Sequence, residues 1–550
     1  MIDEFGVSTD QLTERREVHL RKIPNKTKLV VAGLLALIIV LIIVSIIGWT
    51  QSLWLKHTSS PAVLVHYGDQ TIGSPPVLPN DGPYVQWTFL HMNDVYELLP
   101  LDNGRKGGLA RVATVRKKLL EENPHTYTFL AGDLVSPSAL SQANVNGTEL
   151  NGKQMIFGMN ALGIDYMTFG NHEFDLKRND LLQRMSESNF TWIGTNVFNL
   201  ATTSMFGKSV PYKLLTVNNV RILIFSITTD MNMGGSTPYV TIVNSTSLKS
   251  FIQQFLSSLQ IQYDVLIALT HVEVKTDIML AENVPNISII MGGHEHENYY
   301  LIRGQYNTPI FRADGNVFSV FIHRFAYNSN TKLLRLYSTL TRITPDIPDD
   351  NQTASVSNYW FSLGMNAFIH DGFQPNETIT RLPDNVELDG RSSSIRYFPT
   401  LLSDLICKSI LNETNATIGL YNTGAIRLDD VLTGAITQYD ILRTVPFKNF
   451  VVKLNVTGKI LSKVLTYGAT LQGDGMFLSF CGVRSSDKNN WFLEVDGTTN
   501  IAENNNTYIL ATLDYTKNAT DLNDISVVLL NTYEVIALAV IRYLKIVYPR

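Results

Sequence analysis

Cysteine is almost missing from this 550-residue chain, with Cys407 and Cys481 the only two. That excludes a fold stapled by a disulfide framework, and it leaves one bridge or two free thiols open. Charge is also scarce: charged residues make up 17% of the sequence and the formal net charge is -5. No electrostatic ground therefore exists for a nucleic-acid partner. Short basic clusters such as Arg116-Lys117-Lys118 read as the solvated face of a helix. Internal repeats and low-complexity segments are lacking, which excludes repeat architectures. Long apolar runs are lacking too, with one exception. The stretch Val535–Ile541 is short and followed by Arg542 and Lys545, so it reads as a core helix, and no lipid-anchor signal follows it.

The exception is Leu29 to Trp49, about 21 residues without a charge and long enough to cross roughly 30 Å of hydrocarbon. Arg15, Arg16, Arg21, Lys22, Lys26 and Lys28 precede it, so the positive-inside rule places the N-terminus in the cytosol. The run is too long, and lies too far from the N-terminus, for a cleaved signal peptide. The expectation is a single-pass type II membrane protein whose ectodomain is extracellular or in the secretory lumen. Asn-x-Ser/Thr acceptors agree with that side: Asn146, Asn189, Asn244, Asn286, Asn351, Asn376, Asn412, Asn415, Asn455, Asn505 and Asn518 all follow the run.

Hydrophobic residues make up 45% of the chain, ample for globular cores, and the length favours more than one domain. Residues 1–28 read as a cytosolic tail, 29–49 as the anchor, and 50–85, rich in Pro, Ser and Gly, as an irregular stalk. From 86 to 344 apolar runs alternate with helical stretches such as Leu109–Glu122, the pattern of a sheet layered with helices. A break at Pro345-Asp346-Ile347-Pro348-Asp349-Asp350 opens a linker, 345–370, with a helix around Ser355–Ile369. A second domain then spans 371–550.

Five short apolar runs end in polar clusters. Trp87–Leu90 leads into His91-Met92-Asn93-Asp94, and Tyr127–Ala131 into Gly132-Asp133. Tyr166–Phe169 leads into Gly170-Asn171-His172-Glu173-Phe174-Asp175. Val265–Leu269 leads into Thr270-His271, and Ile287–Met291 into Gly292-Gly293-His294-Glu295-His296. Runs of this length read as buried strands, and α/β sheets bind ligands beyond the carboxyl ends of their strands. Asp94, Asp133, Asn171, His271, His294 and His296 make a mixed O/N ligand set sufficient for two cations. Imidazole and carboxylate donors favour Zn, Mn or Fe over Ca.

Order and spacing of these clusters, with Gly107-Gly108-Leu109-Ala110-Arg111 and Ser136-Pro137-Ser138, resemble the calcineurin-like metallophosphoesterases, and within them the 5'-nucleotidase family. The resemblance runs from about Trp87 to the C-terminus. It implies a four-layer α/β/β/α metallophosphoesterase sandwich followed by a second α+β substrate-binding domain. It also implies that Asp133 bridges two divalent ions, with Asn171, His271 and His294 completing one site and Asp94 and His296 on the other. A hydroxide activated by both ions is then the implied nucleophile. His172 and Asp175 are implied as a dyad in which Asp175 orients His172. His91 reads as a packing or hydrogen-bonding residue. One departure concerns the first strand end, where the family commonly has Asp-x-His and this chain has Asp94-Val95-Tyr96. Tyr96 then either ligates as a phenolate or hydrogen-bonds as a hydroxyl.

In the second domain, Asn422-Thr423-Gly424-Ala425-Ile426-Arg427 is similar to the family's Asn-Gly-Gly-Gly-Ile-Arg run, and Arg396 to its phosphate- or ribose-contacting arginine. Phe447 matches the first of two base-clamping aromatics closely and Tyr515 the second loosely, with Asp521 in the place of a ribose-contacting carboxylate. Stacking of that kind contributes roughly 1–3 kcal/mol per base. The implied reaction is hydrolysis of nucleoside 5'-monophosphates to nucleoside and phosphate. The alternatives on the same centre are a nucleoside di- or triphosphatase, a nucleotide-sugar hydrolase or a cyclic-nucleotide phosphodiesterase. A surface binding protein that kept the fold without turnover is the alternative from another class.

Overall fold

The strand Tyr84–Met92 shows how the chain layers itself. Successive side chains of a strand point to opposite faces. Trp87 and Phe89 enter one core, shared with Phe129, Ile267, Met291 and Phe321. Leu90 and Met92 enter another, shared with Val112, Leu130 and Met159. A strand buried on both faces needs apolar residues at nearly every position, hence the short continuous runs of the sequence.

The structure is a computed structural model that describes residues 63–69, 78, 82–230, 238–485, 490–503 and 506–549. The expected tail and the Leu29–Trp49 anchor lie outside these residues. Among the described residues no helix is long and apolar enough to cross a membrane.

Two sheets pack face to face. The first is seven-stranded, in the order Val63–Asp69, Leu333–Arg342, Ser319–Asn328, Tyr84–Met92, Thr126–Ala131, Tyr166–Thr168, Thr191–Ile193. The second is six-stranded, in the order Tyr299–Arg303, Thr308–Arg312, Ile287–Gly293, Val265–His271, Val220–Thr228, Lys213–Val217. The core containing Trp87 and Ile267 lies between them. Helices Leu109–Glu122 and Lys153–Leu162 cover the outer face of the first sheet, and Ser245–Ser258 and Val274–Asn283 that of the second. The layers are therefore α/β/β/α. Tyr84–Met92, Thr126–Ala131 and Tyr166–Thr168 run parallel, as do Val220–Thr228, Val265–His271 and Ile287–Gly293. Parallel neighbours end at the same rim, so every polar cluster of the sequence is delivered to one edge.

Two boundaries differ from expectation. Val63–Asp69, placed by its flanking prolines in an irregular stalk, pairs in parallel with Leu333–Arg342 at the edge of the first sheet. Its Val-Leu-Val run carries the strand propensity that the surrounding composition masked. The linker helix spans Asn351–His370 and starts earlier than Ser355, because the Asp350 carboxylate caps it by accepting from the Thr353 backbone N–H.

The second domain is a five-stranded sheet, ordered Leu478–Cys481, Ile418–Asn422, Thr507–Leu513, Phe450–Thr457, Val528–Val535. Helices Leu401–Thr414 and Ile536–Val547 pack on one face and Gly458–Ala469 on the other. The stretch read as a core helix is one: Ile536, Val540 and Leu544 are buried. Cys407 and Cys481 are paired, joining the helix Leu401–Thr414 to the edge strand. Closing a loop of 74 residues contributes about 4 kcal/mol through the entropy of the unfolded chain. Residues from Ala62 onward form one compact unit, so contacts between the two domains belong to the architecture.

Candidate metal centre

The candidate ligands meet at the shared rim. Asp94, Asp133 and His271 offer ligand atoms within 4.8 Å of one another, all buried. The turns that present them are unusual: Asp94, Asp133 and His294 all have left-handed backbones, with φ of 53°, 57° and 90°. Asp and His are among the non-glycine residues that adopt this region most readily, so the residue types suit the turns. Gly170 explains part of the closeness, since a Cβ there would stand 2.1 Å from Asp133 Oδ1.

One group of atoms comprises Asn171 Oδ1, His271 Nε2, His294 Nδ1 and Asp133 Oδ2. Asn171 Oδ1 lies 3.1 Å from each of His271 Nε2 and His294 Nδ1, which are 3.3 Å apart. His271 Nε2 is 3.3 Å from Asp133 Oδ2. Ligands held about 2.1 Å from a tetrahedral ion stand about 3.4 Å apart, so this spacing fits one cation. His271 Nδ1 donates to the Ala131 carbonyl at 2.8 Å, which leaves Nε2 to face the group. The second group joins Asp94 Oδ1 to His296 Nε2 at 3.3 Å. Tyr96 stands among its members: its hydroxyl is 3.0 Å from Asp133 Oδ2, 3.2 Å from His296 Nε2 and 3.5 Å from Asp94 Oδ1. Burial raises the Tyr96 phenol well above its usual value, and the Asp133 and Asp94 carboxylates add to this. Tyr96 thus hydrogen-bonds among the candidate ligands of this second group.

The electrostatics call for positive charge. Burial alone would depress His271, yet the Asp133 and Asp94 carboxylates outweigh it and push the ring up to about 9. Behind the ligands, the buried Glu173 carboxylate accepts backbone N–H bonds from Gly170, Asp133 and Leu134 at 2.6, 3.0 and 2.8 Å. It thereby ties the turn of Asp133 to that of Asn171. Asn93 does the same between Asp94 and Ala313. Glu295 is turned away to the buried Arg312, which leaves its neighbours His294 and His296 on the rim. His91 has no place among the ligands: its Nε2 bonds to the Gly292 carbonyl at 3.0 Å beneath the site, and burial lowers its pKa to about 4.

His172 lies between the domains. Its Nε2 is 3.0 Å from Arg427 Nη2, and an arginine can only donate. Nε2 therefore accepts, and Nδ1 carries the proton that it donates to Asp175 Oδ2 at 2.7 Å. The Ser136 hydroxyl donates to the same Asp175 oxygen at 2.8 Å.

The second-domain residues are brought together only in part. Arg396 and Arg427 are half-buried, and the buried Nε atom of each has no hydrogen-bond partner among the described residues. Tyr515 is 46% exposed, too open for a core aromatic, and its acidic neighbours are Asp175 and Asp474. Phe447 is half-buried after the helix Gln438–Thr444. Asn422 is a brace, accepting from the Thr516 hydroxyl at 2.9 Å and donating to the Gly475 carbonyl. Asp521 is ion-paired with Lys463 of the helix Gly458–Ala469 at 2.9 Å.

Residues 88–298 match the calcineurin-like phosphoesterase family and residues 379–525 the 5'-nucleotidase C-terminal domain. The two occur in the order, and on the folds, just described. The chain belongs to the 5'-nucleotidase family. It is a metallophosphoesterase, and the family implies divalent metal ions, for which the buried Asp94, Asp133 and His271 provide a fitting donor set. Among its relatives, the 5'-nucleotidase of Bos taurus is 24% identical over 443 residues, covering 72% of this chain and 74% of its own. In fold the chain is similar to a 5'-nucleotidase precursor from Thermus thermophilus, with a TM-score of 0.71 and 20% identity. That likeness covers 84% of this chain and 97% of the other. A sulfate thiohydrolase, SoxB, from the same organism shares the fold with a TM-score of 0.64 and 13% identity over 86% of this chain and 96% of its own. A fold of this kind can carry more than one chemistry, so side chains must choose the substrate.

Two positions escaped the sequence reading. Glu173 lay inside a quoted motif, yet only burial reveals what its carboxylate braces. Asp429 follows Arg427 closely, and the Asp429-Asp430 doublet was its only signal.

Proposed function

We propose that this chain hydrolyses nucleoside 5'-monophosphates to nucleoside and phosphate, on the outer or lumenal side of a membrane. The observation that carries the reaction is the contact between Arg427 Nη2 and His172 Nε2. It puts a cation of the nucleotide-binding domain and the histidine of the phosphoesterase domain at one point beside the clustered carboxylates.

In this reading Asp133, Asn171, His271 and His294 hold one cation, and Asp94, Asp133 and His296 the other. The two ions would acidify a water and neutralise phosphoryl oxygens. The chain's own residues do the rest. Arg427 and Arg396, with unpartnered buried Nε atoms, receive the anionic phosphate. His172, held by Asp175 through Nδ1, turns Nε2 towards the place where Arg427 would receive the phosphoryl group. Tyr515 and Phe447 offer apolar faces to the base. Tyr96 places a hydroxyl where the family commonly has an imidazole, so the cation at Asp94 and His296 would be held by fewer strong ligands.

Full-length protein in detergent, supplied with Mn or Zn, should release phosphate faster from AMP than from ADP, UDP-glucose or cyclic AMP. Cleavage confined to ADP, to UDP-glucose (giving UMP and glucose 1-phosphate) or to cyclic AMP (giving AMP), read by chromatography of the nucleotides, would reassign the substrate within the class. Cleavage of none would refute the proposal.

The outward location rests on three supports. The Leu29–Trp49 run follows a basic segment, Cys407 and Cys481 are paired, as suits an oxidising compartment, and the acceptor asparagines at 146, 189, 244, 286, 351, 376, 412, 415 and 518 are exposed. Asn455, half-buried in a strand, is the described acceptor that is not. Protein made in eukaryotic cells should drop in apparent mass on treatment with an N-glycosidase. An unchanged mass, with the domain digested by protease once the plasma membrane alone is permeabilised and not before, would place it on the other side.

A further inference from the structure

His271 and His296 are both candidate ligands, but they are oriented by different parts of the protein. The outer nitrogen of His271 is held by the Ala131 carbonyl, within its own domain. The outer nitrogen of His296 is held by a residue of the other domain: its Nδ1 is 2.5 Å from Asp429 Oδ2. Asp429 is itself fixed, because its Oδ1 accepts from the Ser392 backbone N–H at 3.1 Å and the Ser392 hydroxyl at 2.6 Å. Both partners of the histidine–carboxylate pair are buried, with side-chain exposures of 5% and 8%.

We propose that Asp429 is a positioning residue through which the C-terminal domain completes the cation position of Asp94 and His296. A carboxylate only accepts, so Nδ1 of His296 keeps its proton and the ring presents Nε2 to Asp94. Metal-bound histidines commonly rest on such an outer carboxylate, which fixes the tautomer and raises the basicity of the coordinating nitrogen. Here that carboxylate is on a different domain from the ligand. The loop bearing Tyr96 is gripped by the same domain. Arg427 lies over the Tyr96 ring, and Glu97 accepts from Tyr439 and pairs with Arg443. The position at Asp94 and His296 is thus assembled by both domains, and the one at Asn171, His271 and His294 by the phosphoesterase domain alone. The assignment rests on the proposed reading of this rim as a two-cation centre.

The test is metal binding, read apart from turnover. Metal-stripped full-length protein in detergent is titrated with Mn by calorimetry, and the loaded forms are compared by electron paramagnetic resonance. Wild type should take up two ions and show the signal of a spin-coupled pair. Asp429→Ala should weaken one binding step about 10- to 100-fold and leave the other unchanged. At intermediate Mn it should show a mononuclear signal. Asp429→Glu should recover part of the loss. Glu149→Ala, which removes an exposed ion pair to Lys448 between the same domains, should change neither step. Should Asp429→Ala fail to fold, Ser392→Ala tests the same relay and should weaken the same step several-fold. Two unchanged steps in a folded Asp429→Ala protein would overturn this assignment alone. A wild type that binds no Mn would overturn the two-cation reading and this assignment with it.

Discussion

Asp133→Asn should lower kcat/KM by about 10³-fold or more, equivalent to about 4 kcal/mol of transition-state stabilisation. The substitution keeps the volume, and its remaining oxygen can still accept the His172 backbone N–H, which now donates to Oδ1 at 2.9 Å. The loss is at Oδ2, which faces both His271 and Tyr96. An amide nitrogen there offers hydrogens to a place shared by both candidate cations and removes the negative charge that draws them. Metal content after dialysis should fall together with activity. A protein that retains both ions and keeps activity within tenfold of wild type would show that the convergence of these residues is structural only.

His172→Ala is the second large expectation, a loss of roughly 10²- to 10⁴-fold in kcat, the usual cost of removing a positioned acid–base or charge-stabilising group. Its backbone N–H remains to support Asp133, so metal content should stay at the wild-type value. That separates it from Asp133→Asn. KM should change little, because Arg396 and Arg427 remain to hold the phosphate. Asp175→Asn should give a smaller loss in the same direction, since Nδ1 of His172 can still donate to the amide oxygen. Loss of bound metal in His172→Ala, or a kcat within threefold of wild type, would remove His172 from the role given to it.

The candidate ligands were legible because two local signals coincide. Short apolar runs give the strands, and each run stops at a residue type able to bind a metal. The coarse layering was legible for the same reason, and Leu109–Glu122 is helical over the range its periodicity suggests. The edge strand Val63–Asp69 was not, since its pairing partner lies far along the chain at Leu333–Arg342. The ion pair of Asp521 with Lys463 was not legible either, because position in a motif says nothing about which helix packs beside it. The pairing of Cys407 with Cys481 was undecidable for a related reason, as two cysteines state that a bond can form but not whether the helix and the edge strand bring them together.

The order of residues in the chain was enough to set the class of chemistry, because ligand type and strand end are properties of a few consecutive residues. Tertiary structure alone decided what each ligand rests on. The Tyr96 hydroxyl meets Asp133 and His296, the Glu173 carboxylate spans two turns, and His296 leans on Asp429, 133 positions away. Those contacts depend on the packing of separate strands and of one domain against another. Nothing in a local pattern encodes a distance across that packing.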